Sequence, residues 1–380
     1  MKALVKLRPE PGALELREVP RPEPGPHEVI VEVAGASICG SDLHIAQWHP
    51  MARWTKTPVI LGHEFAGIVA ETGARARSFK AGDAVAVESV IWCGQCPRCR
   101  EGKTNLCDAR RLFGLHEPGG MAEAVAVPER LLHRLPARVP VHQAAIVEPT
   151  TVALHAVLLQ PPHPGDLVLV TGPGPIGLLA GLIAKAAGAR VLVAGTPSDA
   201  ATRLPTAQRL GLEVLEPRVY VEDALGKTAR GPVDLVLECS GAGPAIDSAI
   251  RVVKRGGGIT LVGMPSKNIE IDVAQLLRGE ITLRASYFGT WQDFERALAL
   301  IASGAIPSDT LLAPYALDDV LQAFEDAEAQ RVLKPLVLPK GQPEDVARAC
   351  LFVATLPPHT SVPELIILPG RLQTIGQTSS

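Results

Sequence analysis

A glycine-rich turn near the centre of the chain constrains the fold more than any other feature. The segment DLVLVTGPGPIGLLAGLIAKAAGARVLVAG predicts a strand at 167–171, a helix that ends near Ala187 and a second strand at 190–194. The turn has the spacing G-x-G-x-x-G, in which glycines let the backbone approach a pyrophosphate group at the helix N-terminus. Because the motif stands between a strand and a helix, it indicates a dinucleotide-binding unit and not an ordinary tight turn. The turn residues are Gly172, Gly174, Pro175, Ile176 and Gly177.

Further apolar segments at 234–239, 259–263 and 281–285 read as strands separated by helical or loop segments. This alternation predicts an α/β fold with a doubly wound parallel sheet. We expect Cys239, at the end of one of these strands, to serve packing only. The stretch between Asp166 and Lys185 is uncharged and long enough for a membrane helix, but its GPGP core would break such a helix in the middle.

The end of the second strand bears on the choice of coenzyme. In NAD-binding chains an acidic residue about twenty positions after the motif accepts hydrogen bonds from the ribose 2′-OH. That position is Gly195, which leaves room for a 2′-phosphate; Thr196 could donate a hydrogen bond to it, and Arg203 could form a charge-assisted pair. We therefore expect NADP to be preferred over NAD. Asp199 lies close enough in sequence to accept from the ribose instead.

Four of the seven cysteines lie in the loop CGQCPRCREGKTNLC, with the spacing C-x2-C-x2-C-x7-C. Four thiolates form a closed tetrahedral zinc site, which leaves no position for a substrate. An iron–sulfur cluster is the rival interpretation, and four unligated thiols are the simplest one. We expect a structural zinc. Its ligands would be Cys93, Cys96, Cys99 and Cys107.

Three other segments, SICGSDLH, LGHEFAG and IVEPTTVALH, carry metal-ligand residue types. Together they can supply one thiolate, one imidazole and one carboxylate around a vacant fourth position. That incomplete shell is the arrangement of a catalytic zinc, which acts as a Lewis acid. The candidate residues are Cys39, Ser41, Asp42, His44, His63, Glu64, Glu148 and His155.

The order of these motifs makes the chain resemble the zinc-dependent medium-chain dehydrogenases. CGSDLH is followed by GHEFAG…ETG…F-x-x-GD-x-V, by the four-cysteine loop and by EP, and the resemblance runs from about Met1 to Leu338. It is nearest to the polyol (sorbitol, L-iditol) and threonine dehydrogenase branch. The resemblance implies a GroES-like β-rich catalytic domain at 1–151 and 290–339, with a Rossmann domain at 152–289.

The resemblance also implies roles for the candidate residues. Cys39, His63 and Glu64 would be zinc ligands, with Glu148 either a ligand or the holder of a zinc-bound water. Ser41 and His44 would carry the alcohol proton outward, while we expect Asp42 to have a structural role. Besides the turn residues, the coenzyme would contact Gly195, Thr196, Arg203, Val262, Gly263, Met264, Ser286, Tyr287 and Phe288.

The substrate implied is a secondary alcohol, oxidised by hydride transfer to NAD(P). Polyol dehydrogenases have an Arg-Tyr pair where this chain has Ser286-Tyr287, which disfavours a long polyol and favours a small alcohol with a neighbouring hydroxyl or amine. L-threonine is the alternative substrate, although no residue stands out as an anchor for its carboxylate. Trp48 and Trp54 either line the pocket or lie at an interface.

Charge and composition exclude several other functions. The formal net charge of −3 argues against a nucleic-acid-binding surface. The cysteine content and the absence of a signal-peptide pattern predict a cytoplasmic protein without a membrane partner. We expect a homodimer or homotetramer with two zinc ions per chain. A non-catalytic NADPH-binding structural protein is the alternative of another class, and a full set of catalytic zinc ligands argues against it.

The last forty residues extend beyond the family pattern. We predict a C-terminal extension at 340–380, with a helix at 344–356, a short strand at 361–368 and a disordered end at 370–380. The extension briefly resembles the C-terminal end of short-chain dehydrogenases. It contains none of their catalytic residues, so it implies no second activity.

Overall fold

The structure is a computed structural model that describes residues 1–218, 220–225 and 233–339, together with two short strands at 365–368 and 371–374. Its described strands are β1 (Lys2–Lys6), β2 (Leu14–Glu18), β3 (Glu28–Ser37), β4 (Val59–Ile60), β5 (Glu64–Thr72), β6 (Ala84–Val87), β7 (Val90–Ile91), β8 (Arg111–Leu112), β9 (Ala124–Pro128), β10 (Leu132–Arg134), β11 (Leu167–Thr171), β12 (Arg190–Ala194), β13 (Glu213–Val214), β14 (Val233–Glu238), β15 (Val253–Leu261), β16 (Thr282–Ala285), β17 (Leu312–Ala316), β18 (Lys334–Leu338), β19 (Leu365–Leu368) and β20 (Arg371–Thr374).

The described α-helices are α1 (Gly40–Ala46), α2 (Pro97–Arg100), α3 (Val147–Leu159), α4 (Pro175–Ala186), α5 (Arg203–Arg209), α6 (Val221–Leu225), α7 (Gly243–Val252), α8 (Val273–Gly279), α9 (Trp291–Ala302), α10 (Ser308–Leu311) and α11 (Val320–Glu328). Short 3-10 turns join several of them, including Pro50–Trp54 before β4 and Thr104–Leu106 inside the cysteine loop. None of the helices in these ranges is long and apolar enough to cross a membrane.

The central and later part of the chain forms a six-stranded sheet in the order β13-β12-β11-β14-β15-β16, and every neighbouring pair is parallel. The predicted doubly wound parallel sheet is confirmed. β11 and β12 have the predicted bounds, whereas β15 begins at Val253, well before the predicted start at 259. The early part of β15 carries the polar, glycine-rich run KRGGG and a register irregularity opposite β14, so its sequence lacks the apolar pattern of a buried strand.

A second, β-rich sheet has the order β10-β6-β5-β3-β18-β17, with β9 also paired to β3. β18 lies antiparallel to β3, where Leu336 is opposite Ser37, so strands from before and after the parallel sheet share this second sheet. The predicted α/β class with a β-rich unit is therefore observed. The predicted domain boundary after residue 151 falls inside α3, a continuous helix that carries side chains of the candidate site.

Beyond residue 339 the structure describes only the hairpin of β19 and β20, which are paired antiparallel. β19 falls inside the strand predicted at 361–368. β20 lies within the stretch predicted to be disordered, and there it is described as paired with β19; the disordered end stays a prediction. The helix predicted at 344–356 lies outside the described residues.

Candidate active site

The first candidate ligand, Cys39, immediately precedes α1 and has the extended backbone of an N-cap residue. Asp42 lies three residues further on, and its Oδ2 accepts a hydrogen bond of 2.9 Å from the backbone N–H of Cys39. This contact closes the first turn of the helix, in the manner of a capping box. The predicted structural role of Asp42 is thus seen in the structure, and it fixes the backbone that carries the thiol.

His63 and Glu64 reach the thiol from a neighbouring strand. Glu64 is the first residue of β5 and lies opposite Ser37 of β3, two residues before Cys39. One ligand atom each from Cys39, His63 and Glu64 lies within 4.8 Å of the others, and both His63 and Glu64 are buried. A sulfur, a nitrogen and an oxygen donor at this separation fit the ligand preferences of zinc.

Lys334 is a member of the site that sequence reasoning missed. It is the first residue of β18, is 2% exposed, and places its Nζ 2.6 Å from Glu64 Oε2 and 3.2 Å from the Ile38 carbonyl oxygen. Ser37 Oγ donates a second hydrogen bond to the same carboxylate oxygen. Burial opposes the charge of Lys334, but the negative charges of Glu64 and Cys39 raise its pKa above the ordinary value. A lysine within the apolar run of β18 is the signal that could have pointed to it.

Glu148 stands in the first turn of α3 and is 5% exposed. Its Oε1 accepts a hydrogen bond of 2.6 Å from Ser89 Oγ, another partner that sequence reasoning missed. Burial raises the pKa of Glu148 to about 7, since the nearby charge of Glu64 adds to the effect of burial while His63 and Lys334 oppose it. Among the described residues, the compact ligand cluster contains Cys39, His63 and Glu64, and Glu148 lies outside it.

The surroundings of His63 are anionic. Its Nδ1 is 3.6 Å from Asp42 Oδ1, and both of these buried atoms lack a hydrogen-bond partner within the described part of the chain. Burial lowers the pKa of His63, but the charges of Asp42 and Cys39 raise it well above the ordinary value. A cation bound by the thiolate and the imidazole would offset this excess of negative charge, so the electrostatics fit a metal site.

Two histidines, one on α1 and one just after it, lie nearer the surface than the buried ligands. Ser41 Oγ lies 3.4 Å from His63 Nε2, and on the same short helix His44 is half-buried. His44 Nδ1 is 2.9 Å from Nδ1 of His49, which is exposed and was not among the predicted residues. Burial and the neighbouring His49 lower the pKa of His44. Two imidazoles in contact can accept a proton on one ring and release one from the other.

The four-cysteine loop forms a separate cluster. The ligand atoms of Cys93, Cys96, Cys99 and Cys107 all lie within 4.8 Å of one another. The turns around them place Gly94 and Gly102 in the left-handed region. Backbone N–H groups of Gln95 and Cys96 lower the pKa of Cys93 to about 6, whereas burial raises that of Cys99 to about 12. The set has the composition and compactness of a tetrahedral thiolate site.

The predicted glycine turn lies at the carboxyl ends of the parallel strands. Gly172 has a positive φ of 88°, and a Cβ on Gly177 would lie 2.0 Å from the Gly172 carbonyl oxygen, so a side chain is excluded there. Gly174 is the N-cap of α4, and a Cβ at that position would meet nothing within 4 Å. The backbone before α4 is therefore open to a ligand, as a pyrophosphate site requires.

The residues predicted to determine coenzyme preference lie between the end of β12 and the start of α5. Asp199 is 5% exposed, and its Oδ2 accepts hydrogen bonds from Thr196 N at 2.9 Å and from Thr196 Oγ1 at 3.0 Å. Its Oδ1 is 3.1 Å from Arg203 Nη1. A Cβ on Gly195 would lie 3.1 Å from Asp199 Oδ2, so Asp199 is adjacent to the glycine. The carboxylate is held by Thr196 and Arg203 within the protein.

The chain matches two family profiles. The profile described as the alcohol dehydrogenase GroES-like domain matches residues 25–137, and the profile of the zinc-binding dehydrogenases matches residues 175–303. A curated relative, the sorbitol dehydrogenase of Halalkalibacterium halodurans, is 35% identical over 89% of this chain and 99% of its own length. The chain belongs to the zinc-binding dehydrogenases. The predicted resemblance to the zinc-dependent medium-chain enzymes, in their polyol and threonine dehydrogenase branch, is confirmed.

Other relatives match this zinc-binding dehydrogenase over almost the whole of their own length. The L-threonine 3-dehydrogenase of Streptomyces avermitilis is 37% identical over 87% of this chain and 97% of the relative. A zinc-binding dehydrogenase from Sinorhizobium meliloti, solved bound to NADP, has a TM-score of 0.81 at 32% identity and covers 89% of this chain and 99% of that one. 2R,3R-butanediol dehydrogenase from Bacillus subtilis has a TM-score of 0.79 at 30% identity, with 89% and 99% covered. The protein is therefore a zinc-dependent NAD(P) alcohol dehydrogenase.

The remaining predicted coenzyme contacts of this zinc-binding dehydrogenase form two short segments. Val262, Gly263 and Met264 follow β15, and Ser286, Tyr287 and Phe288 follow β16, so all six lie at the carboxyl edge of the sheet. Among the described residues, His155 is not one of the clustered ligands; its Nδ1 is 2.8 Å from Asp293 Oδ2. Trp48 is half-buried against the β-rich core, whereas Trp54 is 66% exposed under Arg53. Cys239 packs against the core, and burial raises its pKa.

Proposed function

We propose that this enzyme oxidises a small secondary alcohol that carries a neighbouring hydroxyl or amino group, with hydride transfer to NADP. The observation that carries the proposal is the convergence of one thiol, one imidazole and one carboxylate, from Cys39, His63 and Glu64, within 4.8 Å. These three residues would hold the catalytic zinc. When bound, zinc supplies a Lewis acid that makes an alcohol hydroxyl more acidic, and NADP accepts the hydride.

The side chains around the ligands would manage charge and protons. Lys334 and Ser37 both bind Oε2 of Glu64, so Oε1 would be the oxygen that coordinates the metal. Glu148, with its pKa raised to about 7, would accept or return a proton at neutral pH next to the ligands. Ser41 would take the alcohol proton, and His44 would pass it towards the surface through His49.

A second zinc would occupy the four-cysteine loop in a structural role. Thiolates from Cys93, Cys96, Cys99 and Cys107 would complete its coordination, which leaves no position for a substrate. The clustered thiols need a reducing compartment to stay available to metal, which supports a cytoplasmic location.

The preference for NADP rests on Gly195 and its neighbours. Gly195 offers no carboxylate to the ribose, and the carboxylate of Asp199 is taken up by contacts with Thr196 and Arg203. Arg203 Nε is buried without a hydrogen-bond partner among the described residues, so the guanidinium retains a donor for a phosphate. The NADP bound to the Sinorhizobium meliloti relative supports the same choice.

A homo-oligomer is the assembly we propose. β16 is an edge strand that pairs only with β15 in the described sheet, and α8, which packs on β15 and immediately precedes β16 in the chain, exposes Val273 and Leu277. An unpaired strand edge with adjacent exposed apolar side chains is a surface that a second copy would cover.

Metal content and substrate profile test the proposal. We expect two zinc ions per chain in the wild-type protein, one in Cys39→Ala and one in Cys99→Ser, measured by mass spectrometry of the purified proteins. Cys239→Ser is the matched control and should retain two. A non-catalytic NADPH-binding protein would instead show one zinc or none in the wild type and no turnover.

Steady-state assays with vicinal diols, amino alcohols including L-threonine, long polyols and simple secondary alcohols would identify the substrate class. Each should be run with NADP and with NAD. We expect the highest kcat/KM for a small vicinal diol or amino alcohol with NADP. A clear preference for NAD, or for a long polyol such as sorbitol, would contradict the corresponding part of the proposal. The named relatives act on sorbitol and L-threonine, so both substrates belong in the panel.

A further inference from the structure

The cysteine loop contacts the rest of the molecule through the turn Thr104–Leu106, which lies between its third and fourth cysteines. Asn105 is 3% exposed, and its Nδ2 donates a hydrogen bond of 2.8 Å to the Tyr287 carbonyl oxygen. The adjacent Thr104 Oγ1 accepts a hydrogen bond of 3.2 Å from Trp291 N, at the start of α9. The loop therefore reaches the segment that joins the last strand of the parallel sheet to α9.

This joining segment has an unusual backbone. Phe288 has a φ of +51°, in the left-handed region that a bulky side chain adopts only at a cost. The next residue, Gly289, is packed so tightly that a Cβ there would lie 2.4 Å from Thr151 Cγ2. Surrounding contacts must hold such a conformation in place, and the carbonyl of Tyr287 immediately before it is the group that Asn105 holds.

The same contacts connect the segment to the helix that bears Glu148. Glu148, Thr151 and His155 follow one another along α3 at spacings that place them on one face. Gly289 packs on Thr151, and His155 Nδ1 is 2.8 Å from Asp293 Oδ2. The segment at 287–293 is thus seated along the helix face that leads to the proposed zinc site.

Asn105 is chemically suited to join these parts. His155 Nδ1 faces the Asp293 carboxylate, and a ring that carries its hydrogen on Nδ1 would present Nε2 as an acceptor. Asn105 Nδ2 lies 2.8 Å from the Tyr287 oxygen and 3.5 Å from His155 Nε2, so the bond to Tyr287 is the main contact of this amide. Its Oδ1 is buried with no partner among the described residues, so the donor side is what this amide contributes. Arg110 adds a second contact, with its guanidinium carbon 5.4 Å from the centre of the Tyr287 ring.

We propose that Asn105 is a positioning residue, which fixes the Tyr287–Phe288 backbone in its left-handed conformation so that the segment forms the coenzyme-facing wall of the crevice. The cysteine loop then acts on coenzyme binding through one side chain, in addition to stabilising the fold. The inference rests on the proposed function in one respect, namely that the coenzyme lies against Tyr287 and Phe288.

The test compares Asn105→Asp, which keeps the shape but removes both donors, with Thr104→Val, which removes the neighbouring contact to Trp291 N and leaves Tyr287 untouched. Coenzyme dissociation constants would be measured by calorimetry with NADP and with NAD, and zinc content by mass spectrometry. We expect Asn105→Asp to weaken coenzyme binding about tenfold, equivalent to about 1.4 kcal/mol, with unchanged zinc. Thr104→Val should change binding less than about twofold, well under 1 kcal/mol. If Asn105→Asp does not fold, Asn105→Ala deletes the same donors without adding charge.

Hydrogen exchange of the backbone amides at 286–290, measured without coenzyme, gives an independent readout. It should become faster in Asn105→Asp and stay at the wild-type rate in Thr104→Val. Wild-type exchange and wild-type coenzyme affinity in the Asn105 variants would overturn the proposal, as would an equal loss in Thr104→Val. If the wild-type protein binds neither NADP nor NAD, the proposed function fails, and the exchange measurement still decides whether Asn105 holds this segment.

Discussion

At the scale of single residues, the pairing of Lys334 with Glu64 shows how the site keeps several acidic groups in a buried pocket. Cys39, Asp42, Glu64 and Glu148 are all acidic, and Lys334 is a buried cation placed directly on one of them. A buried charge whose partner is removed is strongly destabilising, because its lost hydration is no longer offset. Lys334 therefore stabilises the site even before a metal binds.

Replacing Lys334 with methionine should lower the free energy of unfolding by about 3–5 kcal/mol, because Glu64 loses its counter-charge. The loss should be larger after zinc is removed with a chelator, since the metal is then no longer available as a second cation. Urea unfolding with and without chelator measures both effects. The double variant Lys334→Met, Glu64→Gln should recover part of the loss in a double-mutant cycle. A loss below about 1 kcal/mol in both conditions would contradict a stabilising role.

Sequence reasoning identified residues that stand in a short motif and missed residues whose partners are distant in sequence. The glycine turn and the four-cysteine loop are each contained in a short segment, so spacing alone predicts them, and Cys39, His63 and Glu64 each stand in a recognisable motif. Lys334 reaches Glu64 only when β18 pairs with β3, Ser37 reaches it when β3 pairs with β5, and Ser89 reaches Glu148 only when α3 packs nearby. No local pattern marks a lysine as the partner of a glutamate at the other end of the chain.

At the scale of elements, His133 joins the β-rich unit to α9. His133 in β10 has a fully buried side chain, with Nε2 3.2 Å from Glu88 Oε1 and Nδ1 2.5 Å from Glu295 Oε1. Its ring stacks on Phe294 of α9, with centroids 4.9 Å apart. Burial lowers the pKa of His133, but the two carboxylates raise it above the ordinary value of 6.5, so the fold favours the imidazolium form.

This contact should make stability depend on pH. Because the pKa of His133 is higher in the folded than in the unfolded chain, its stabilisation is fully present below pH 6.5 and is lost as pH rises through the folded-state pKa. We expect wild type to exceed His133→Gln in stability by more at pH 6 than at pH 9. The difference should fall by about 1.4 kcal/mol for each pH unit between the two pKa values. Urea unfolding of both proteins at the two pH values measures it, and an equal stability difference at pH 6 and pH 9 would contradict this role of His133.

The cysteine loop is the second element with a measurable contribution to stability. Losing one thiolate would open the proposed zinc tetrahedron, and a structural zinc would contribute its binding free energy to folding. Cys99→Ser should therefore lower Tm by several degrees, while Cys239→Ser, at a thiol outside both clusters, should lower it less. Scanning calorimetry of the two variants is the comparison, and equal Tm values would argue against a metal in the loop.

At the scale of the whole molecule, the free edge of the parallel sheet is the feature that predicts assembly. In α8, which packs on β15 and precedes β16, Leu277 is 73% exposed and Val273, one turn earlier, is exposed as well, and adjacent exposed apolar side chains mark an interaction surface. We expect Leu277→Glu to shift the protein from dimer or tetramer towards monomer in size-exclusion chromatography with light scattering. Leu321→Glu, at an exposed leucine on α11 away from that edge, should leave the assembly unchanged. A monomeric wild type would contradict the proposed oligomer.

The pairing of β18 with β3 has a consequence for how the chain folds as it is synthesised. The strands from β11 to β16 are contiguous in sequence, so the parallel sheet can form as soon as that stretch has left the ribosome. β9 pairs with residues 28–32 of β3, but the end of β3 at Ala36 and Ser37 stays unpaired on that edge until β18 emerges, and Glu64 remains without Lys334 for as long. Throughout that interval the nascent chain carries an open strand edge beside acidic groups without their lysine, and this is the period in which a chaperone or an early metal ion would matter most.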